Sequence, residues 1–296
     1  MDLWPASTPC RPNRLVGMSL RVATVNVNGV RAAFRKGMGA WLDTREIDIL
    51  ALQEVRASTE DLETLLGPEW NILHDAASAK GRAGVAVASR NSAHIHRVAI
   101  GSDEFDTAGR WIEADYLVGD KTLTVVSCYV HSGEVGTAKQ VAKYEFLDAM
   151  TVRLHEIAEH SEFAVVVGDL NVGHRELDIK NWKGNVKRAG FLPRERAYFD
   201  RILGPAGEIV NGVDGTTGEG LGWVDVGRQA AGEVPGPYTW WSWRGQAFDN
   251  DAGWRIDYQL ATPALAATVT KYEVDRAPSY DTRWSDHTPV VVDYDL

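Results

Sequence analysis

Cysteine is almost missing from this chain. Two residues in 296, Cys10 and Cys128, can build neither a disulfide framework nor a Cys-rich zinc site, so the fold has to rest on its core. No apolar run approaches the roughly 20 residues that a membrane helix needs. The opening MDLWPASTPCRPNRLVG has no continuous apolar stretch of signal-peptide kind. A soluble, cytoplasmic protein without a membrane partner is expected. A Walker A loop, an H-E-x-x-H pair and a G-x-S-x-G elbow are all lacking, which removes the usual signatures of nucleotide cradling, zincin and serine-hydrolase chemistry. Positive charge is also short: 31 Lys+Arg stand against 41 Asp+Glu, a net −10, which disfavours non-specific binding of polyanions.

What remains is ordinary globular composition, 44% hydrophobic and 24% charged, which excludes disorder, collagen and coiled coil. Tryptophan is the exception. There are 11, and Trp240, Trp241, Trp243 and Trp254 crowd into one short span.

Residues 1–17 carry Pro5, Pro9 and Pro12 without periodicity. They are expected to be a disordered N-terminal extension or the product of an early start codon, with a single catalytic domain over 18–296. From Met18, SLRVATVNVNG alternates as a half-buried strand does. A helix is predicted around Ala32–Thr44, then a buried strand in IDILALQEV. Further strands are predicted at 83–89, 111–118, 122–130, 163–171, 253–261 and 287–294, with helices at about 137–159 and 193–203. Nothing repeats at solenoid or propeller spacing. The layout implies a layered α/β or α+β domain with two sheets. NGVDGTTGEGLG (211–222) is expected to be a loop, because it lacks the G-x-G-x-x-G spacing.

Five segments place polar or acidic residues at the end of an apolar run: Asn26 and Asn28, Gln53-Glu54, Asp169 and Asn171, Asp257, and Ser285-Asp286-His287. Taken singly, each is an ordinary turn or cap residue. Together they supply what metal-assisted phosphodiester hydrolysis requires. Carboxylate and amide oxygens are hard ligands suited to Mg²⁺, a second Asp can activate water, and an imidazole can stabilise charge developing on phosphate. Zinc would prefer clustered His and Cys, which are not found here.

The order Asn…Gln-Glu…Tyr…Gly-Asp-x-Asn…Arg-x-Asp…Ser-Asp-His resembles the exonuclease III family of class II abasic-site (AP) endonucleases, within the wider endonuclease/exonuclease/phosphatase superfamily. NVNGVRA, LQE, CYV, GDLN, GFLPRER, GWRIDYQL and SDHTPV carry the resemblance from Met18 to the C-terminus. It implies a four-layered α/β sandwich, two mixed sheets face to face and flanked by helices, as in deoxyribonuclease I. It implies Glu54 as the main Mg²⁺ ligand, Mn²⁺ being a possible substitute, with Asn26, Asn28 and Asp286 near the metal or its waters. Asp169 would deprotonate the attacking water and Asn171 would hold water or phosphate. His287 would stabilise the transition state while Asp257 fixed its tautomer, and Tyr129 would touch the scissile phosphate. Lys143 falls where the family has a basic residue facing DNA.

Substrate choice depends on flanking residues. By the same resemblance, Trp240, Trp254 and Ile256 would wall a small apolar pocket suited to a flipped-out sugar without its base. Core packing is the alternative for each tryptophan, although four in one mixed polar segment are less typical of core, and Trp241 and Trp243 receive no assignment. Basic residues gather at Arg31, Arg35 and Lys36, at Lys80 and Arg82, and at Lys180, Lys183, Lys187 and Arg188. The first and third groups follow site motifs, and Arg31 is expected to contact DNA. Two departures stand out: Val130-His131-Ser132 where the family has Pro and then Asn or Gln, and Arg56 where relatives often carry Lys.

The expected function is therefore Mg²⁺-dependent AP endonuclease action on double-stranded DNA containing abasic sites or blocked 3′ ends, 5′ to the lesion in base excision repair, by a monomer. Accompanying 3′→5′ exonuclease and 3′-phosphodiesterase activities are also expected. The rivals are a superfamily phosphodiesterase acting on RNA, phospholipid or inositol phosphate, and a non-catalytic DNA-damage binding protein.

Overall fold

A computed structural model describes residues 19–79, 81–102 and 104–296. The tail 1–17, Cys10, the start at Met18 and Lys80 lie outside the described residues. In chain order the strands are β1 (Ser19–Asn26), β2 (Ile49–Gln53), β3 (Asn71–Asp75), β4 (Val85–Ser89), β5 (Ile95–Arg97), β6 (Trp111–Val118) and β7 (Lys121–Tyr129). They continue with β8 (Phe163–Asp169), β9 (Ile209–Asn211), β10 (Thr217–Glu219), β11 (Val224–Asp225), β12 (Asp257–Ala261), β13 (Val269–Val274) and β14 (Val290–Asp295). The α-helices are α1 (Val30–Arg35), α2 (Met38–Asp43), α3 (Thr59–Leu66), α4 (Ala138–His160), α5 (Pro193–Leu203), α6 (Val226–Ala231) and α7 (Pro263–Ala266). Among the described residues no helix is long and apolar enough to cross a membrane.

Two six-stranded mixed sheets form, in the orders β13-β14-β1-β2-β4-β3 and β11-β12-β8-β7-β6-β5. Strand alternation determines which residues enter which layer. Leu20 and Val22 of β1, Ile49 and Ala51 of β2, Leu123 and Val125 of β7, and Val165 and Val167 of β8 all face one core between the sheets. The intervening Ala23, Val25, Leu50 and Leu52 face a second core beneath α1, α2 and α3. Val126, Cys128, Ala164 and Val166 face a third beneath α4 and α5. Helices, sheet, sheet and helices make the four-layered sandwich.

The inner rows change character along each strand. In β1 the order is Leu20, Val22, Thr24, Asn26; in β2 it is Ile49, Ala51, Gln53; in β7 it is Leu123, Val125, Ser127, Tyr129. β1 and β2 run parallel, as do β7 and β8, so these polar ends gather at one edge. Gln53 bridges the sheets there, donating to Ser127 Oγ at 3.0 Å.

Several boundaries differ from expectation. The helix placed at Ala32–Thr44 is two short helices, α1 and α2, interrupted at Lys36-Gly37, where Gly37 has a φ of 114°. The Gly-rich 211–222 segment is not merely a loop: β9 and β10 pair antiparallel there, Asn211 opposite Thr217. The 253–261 strand becomes regular only at Asp257; before it, Trp254 forms isolated antiparallel bridges with Ile179 and with Trp240. Helix α3 and strands β3, β5 and β13 had no matching expectation, although Ser58 and Asp61 form the capping box that starts α3.

A buried ion cluster anchors the chain entering β12. Arg255, 1% exposed, donates to Asp178 Oδ1 at 2.7 Å and to both oxygens of Asp225 at 3.0 and 2.7 Å. Burial opposes the charge on Asp178, but Arg255, the Arg175 amide and Arg228 outweigh it and lower its pKa to about 2. That carboxylate therefore stabilises the fold above its ordinary pKa of about 3.8, and the contribution disappears as pH falls through about 2. Arg255→Met is expected to lower stability by about 3–5 kcal/mol at pH 7, because buried Asp225 loses its guanidinium partner and Asp178 keeps only Arg228 as a cation. In urea titrations at pH 7 and pH 3 the deficit should shrink at the lower pH, where Asp178, without the Arg255 charge that holds its pKa down, can take up a proton in the variant. An equal deficit at both pH values would contradict this account.

Candidate active site

The polar edge of the sandwich is a cleft of about 290 Å³ lined by Glu54, Tyr129, Asp169, Asn171, Asp286 and His287 on its polar side, and by Gly190, Trp240, Trp254 and Ile256 on its apolar side. Strand register accounts for its centre. Tyr129 is paired with Asp169 across β7 and β8, and Asp169 with Asp257 across β8 and β12. At the preceding residue, Gly168, a Cβ would stand 2.0 Å from the Cys128 carbonyl oxygen, so the strands can approach this closely only with glycine there.

Asp169 is buried, and each oxygen has donors. Asn26 Nδ2 reaches Oδ2 at 2.9 Å, and Asn171 donates from its amide N to Oδ1 and from Nδ2 to Oδ2, both at 3.0 Å. Burial, with repulsion from Asp257 and Glu54, still raises its pKa against the opposing pull of His287 and Asn26. Asn26 also donates to Glu54 Oε1 at 3.0 Å, while its own Oδ1 accepts the Asn28 amide. It thus faces the two carboxylates as a donor that joins them. Asn28 and Trp240 donate to the two oxygens of Asp286 at 2.9 and 3.1 Å; burial works against that carboxylate, but His287 and these donors hold its pKa below the ordinary value.

His287 Nδ1 lies 2.9 Å from Asp257 Oδ2, and its Nε2 lies 3.7 Å from Asp169 Oδ2. Asp257 Oδ2 also accepts from Thr239 Oγ1 at 2.6 Å. Burial disfavours the imidazolium, but Asp257 and Asp169 outweigh it and raise His287 to about 10. The Tyr129 phenol is raised by burial and by the Glu54 and Asp169 carboxylates, so it stays a neutral donor.

Three of these residues sit in the left-handed region that side chains avoid: Asn28 at φ 45°, Glu54 at 51° and Asn171 at 49°. Such a backbone costs on the order of 1–3 kcal/mol each and persists where surrounding contacts enforce it. Glu54 and Asn171 line the cleft, and Asn28 reaches Asp286 beside it.

Donor chemistry at this edge fits a hard divalent cation. Asp169, Asp257 and His287 offer ligand atoms within 4.8 Å of one another. Within that trio His287 and Asp257 are already bonded to each other, whereas Glu54, Asp169 and Asp286 bring carboxylate oxygens to the same cleft. An oxygen-rich set with one imidazole suits Mg²⁺ or Mn²⁺ better than zinc.

One expected contact differs. Lys143 does not face DNA: it is wholly buried, with Nζ bonded to Glu195 Oε1 at 2.7 Å and to the Asn171 carbonyl at 2.8 Å. Its place on the stripe 143, 146, 147, 150, 154 turns it toward the sheet. Arg31 is exposed and pairs with Asp61 at 3.2 Å, and it is not among the residues lining the cleft. Arg56 is bonded to Glu54. Trp240 and Trp254 meet edge to face at 6.2 Å, whereas Trp241 packs with Tyr238 and Phe248 and Trp243 lies beneath Lys36 and Arg283. Thr239 and Gly190 were missed. The only cue to Thr239 was a small polar residue between Tyr238 and Trp240. At Gly190, with φ 91°, a Cβ would stand 2.9 Å from the Trp254 ring.

Comparison with known proteins shows the family. A family model described as Endonuclease/Exonuclease/phosphatase family matches residues 23–287. The exodeoxyribonuclease of Bacillus subtilis (strain 168) is 31% identical over 273 residues, covering 92% of this chain and 98% of that protein. An AP endonuclease structure from Archaeoglobus fulgidus superposes with a TM-score of 0.75 at 26% identity, over 94% of this chain and 100% of that one. A 3′-5′ exonuclease from Neisseria meningitidis gives 0.76 at 25%, with the same coverage.

In metal-free protein the His287 imidazole is expected to hold its proton until about pH 10. Because its folded pKa is raised, its contribution to stability is complete below about 6.5 and is lost as pH rises through about 10. Asp257→Asn removes the largest stabilising charge, so imidazole NMR signals should titrate at least one pH unit lower. An unmoved titration would rule out the pairing as the cause.

Proposed function

The chain belongs to the endonuclease/exonuclease/phosphatase family, and from that premise we propose that it is a Mg²⁺-dependent AP endonuclease, hydrolysing the DNA backbone 5′ to an abasic site and leaving a 3′-hydroxyl. One observation carries the reading: the acidic, His-containing edge and the Trp240–Trp254–Ile256 wall share one cleft. A hydrolytic centre alone would serve any phosphodiester. The apolar wall beside it suits a sugar turned out of the helix without its base. The names of the relatives, exodeoxyribonuclease and AP endonuclease, point the same way.

In this reading Asp169 accepts the proton of the attacking water, and Asn171 orients that water or a phosphate oxygen. His287, held as a donor by Asp257, and the Tyr129 phenol give hydrogen bonds to the phosphate as its charge grows. Glu54 holds the metal, with Asn26, Asn28 and Asp286 around it or its waters. When bound, the ion neutralises phosphate charge and polarises the scissile bond. Residues 18–296 act as one catalytic domain and as a monomer. The net charge of −10 works against DNA binding overall, but Lys36, Lys180, Lys183, Lys187 and Arg188 form no ion pair among the described residues and remain open to phosphates. They flank the segments that carry Asn28 and Asn171. The same centre would serve 3′→5′ exonuclease and 3′-phosphodiesterase turnover at blocked 3′ ends.

A duplex oligonucleotide carrying one tetrahydrofuran lesion is expected to be cut once, 5′ to the lesion, with Mg²⁺ and not with EDTA. Asp169→Asn should reduce the rate by about 10²–10⁴-fold. Tetrahydrofuran cannot undergo β-elimination, so a lyase would leave it intact. Digestion from 3′ ends alone would replace this reading with an exonuclease, and inactivity on this duplex and on an undamaged one would return it to the superfamily's other substrates.

A further inference from the structure

Lys143 and Glu195 form a salt bridge that the hydrolytic scheme does not use, both side chains being fully buried. Glu195 is saturated. Its Oε1 accepts from Lys143 at 2.7 Å and Gln140 at 3.0 Å, and its Oε2 accepts from the amides of Gly190 at 2.7 Å and Leu192 at 3.0 Å. The Lys143 ammonium also donates to the Asn171 carbonyl at 2.8 Å. One ion pair thereby holds two cleft-lining segments, one carrying Asn171 and the other Gly190.

Both segments need holding. Asn171 has a φ of 49°, outside the strand geometry of β8, and Gly190 has a φ of 91° with its Cα beside the Trp254 ring. A third contact closes the loop, the Gly173 amide donating to the Gly190 carbonyl at 2.8 Å. A buried ion pair is a weak device for stability, since apolar residues of the same size often do as well. It is an effective one for satisfying a carbonyl and two amides that strands and helices leave unpaired.

We propose that Lys143 and Glu195 are positioning residues which set the distance between Asn171 and the Gly190–Trp254 wall, and so align the attacking water with a phosphate whose sugar occupies the apolar side. This rests on the hydrolase reading above. The pair touches neither water nor phosphate; it acts through the backbone of Asn171 and Gly190.

The test is a double-mutant cycle of Lys143→Met, Glu195→Gln and both together. It is read by kcat and KM on the tetrahydrofuran duplex and by amide hydrogen exchange of peptides covering 168–173 and 188–193. Glu195→Gln keeps shape and volume and guards against a variant that does not fold. Each single variant is expected to lower kcat by about 100-fold, the effect of a misplacement near 1 Å, with KM within about twofold. The double variant should lose no more than the worse single one, as residues acting as a unit do. Exchange should accelerate in both peptides of Lys143→Met, although Lys143 bonds neither Gly190 nor Leu192. Losses that multiply, a change confined to KM, or faster exchange in only one peptide would overturn the proposal. If the unmodified protein cuts nothing, the hydrolase reading fails and exchange alone decides the coupling.

Discussion

Two carboxylates, Asp169 and Asp257, stand opposite each other in adjacent strands, both buried. An apolar interior does not tolerate this pair unless each charge is shared among donors. Much of the architecture at this end of the sandwich meets that demand. Asn26 reaches across from the other sheet, Asn171 folds back on Asp169 with two bonds, and Thr239 and His287 close on Asp257. The strain at Asn28, Glu54 and Asn171 follows, because the chain must leave its strand direction to bring these groups inward. What is costly for folding is thereby available to chemistry: a raised carboxyl, a protonated imidazole and a neutral phenol within one cleft.

Around this centre the protein uses buried ion groups as fasteners. The Arg255 cluster ties the entry of β12 to Asp178 and Asp225, and so fixes where Ile256 and Asp257 emerge. The Lys143–Glu195 pair does the same for the opposite wall, through backbone atoms of Asn171 and Gly190. In each case the charges lie behind the cleft. A chain whose net charge is −10 still carries Lys36, Lys180, Lys183, Lys187 and Arg188 outside any ion pair among the described residues, in the stretches that follow Asn28 and Asn171 in sequence.

Two layered sheets were legible in the pattern because a pleated strand sends alternate residues to opposite faces, whereas the four-layered sandwich was implied by the family resemblance. SLRVATVN and FAVVVGD therefore announce both their cores and their polar ends. The centre was legible for a related reason: Asn26, Glu54, Asp169, Asp257 and His287 each end or border an apolar run, and their types suit one chemistry. Elements stabilised mainly by neighbours were not legible. β5 is three exposed residues paired with β6, and β9 with β10 is a small hairpin within a Gly-rich stretch.

The amino-acid order by itself determined the central strands, the helices α4 and α5 and the inventory of reactive groups, since these follow from local periodicity and residue chemistry. Only the tertiary structure decided who meets whom. Asp257 follows Asp169 by many residues and becomes its neighbour through the antiparallel register of β12 on β8. Thr239 matters because the Trp240–Trp254 bridge brings it to that carboxylate. Lys143 has the residue type of a DNA contact, yet the face of α4 that packs on the sheet carries it inward. Charge and type are properties of a residue, whereas partner and burial are properties of a packing arrangement, and a lysine acquires its role only when that arrangement closes over it.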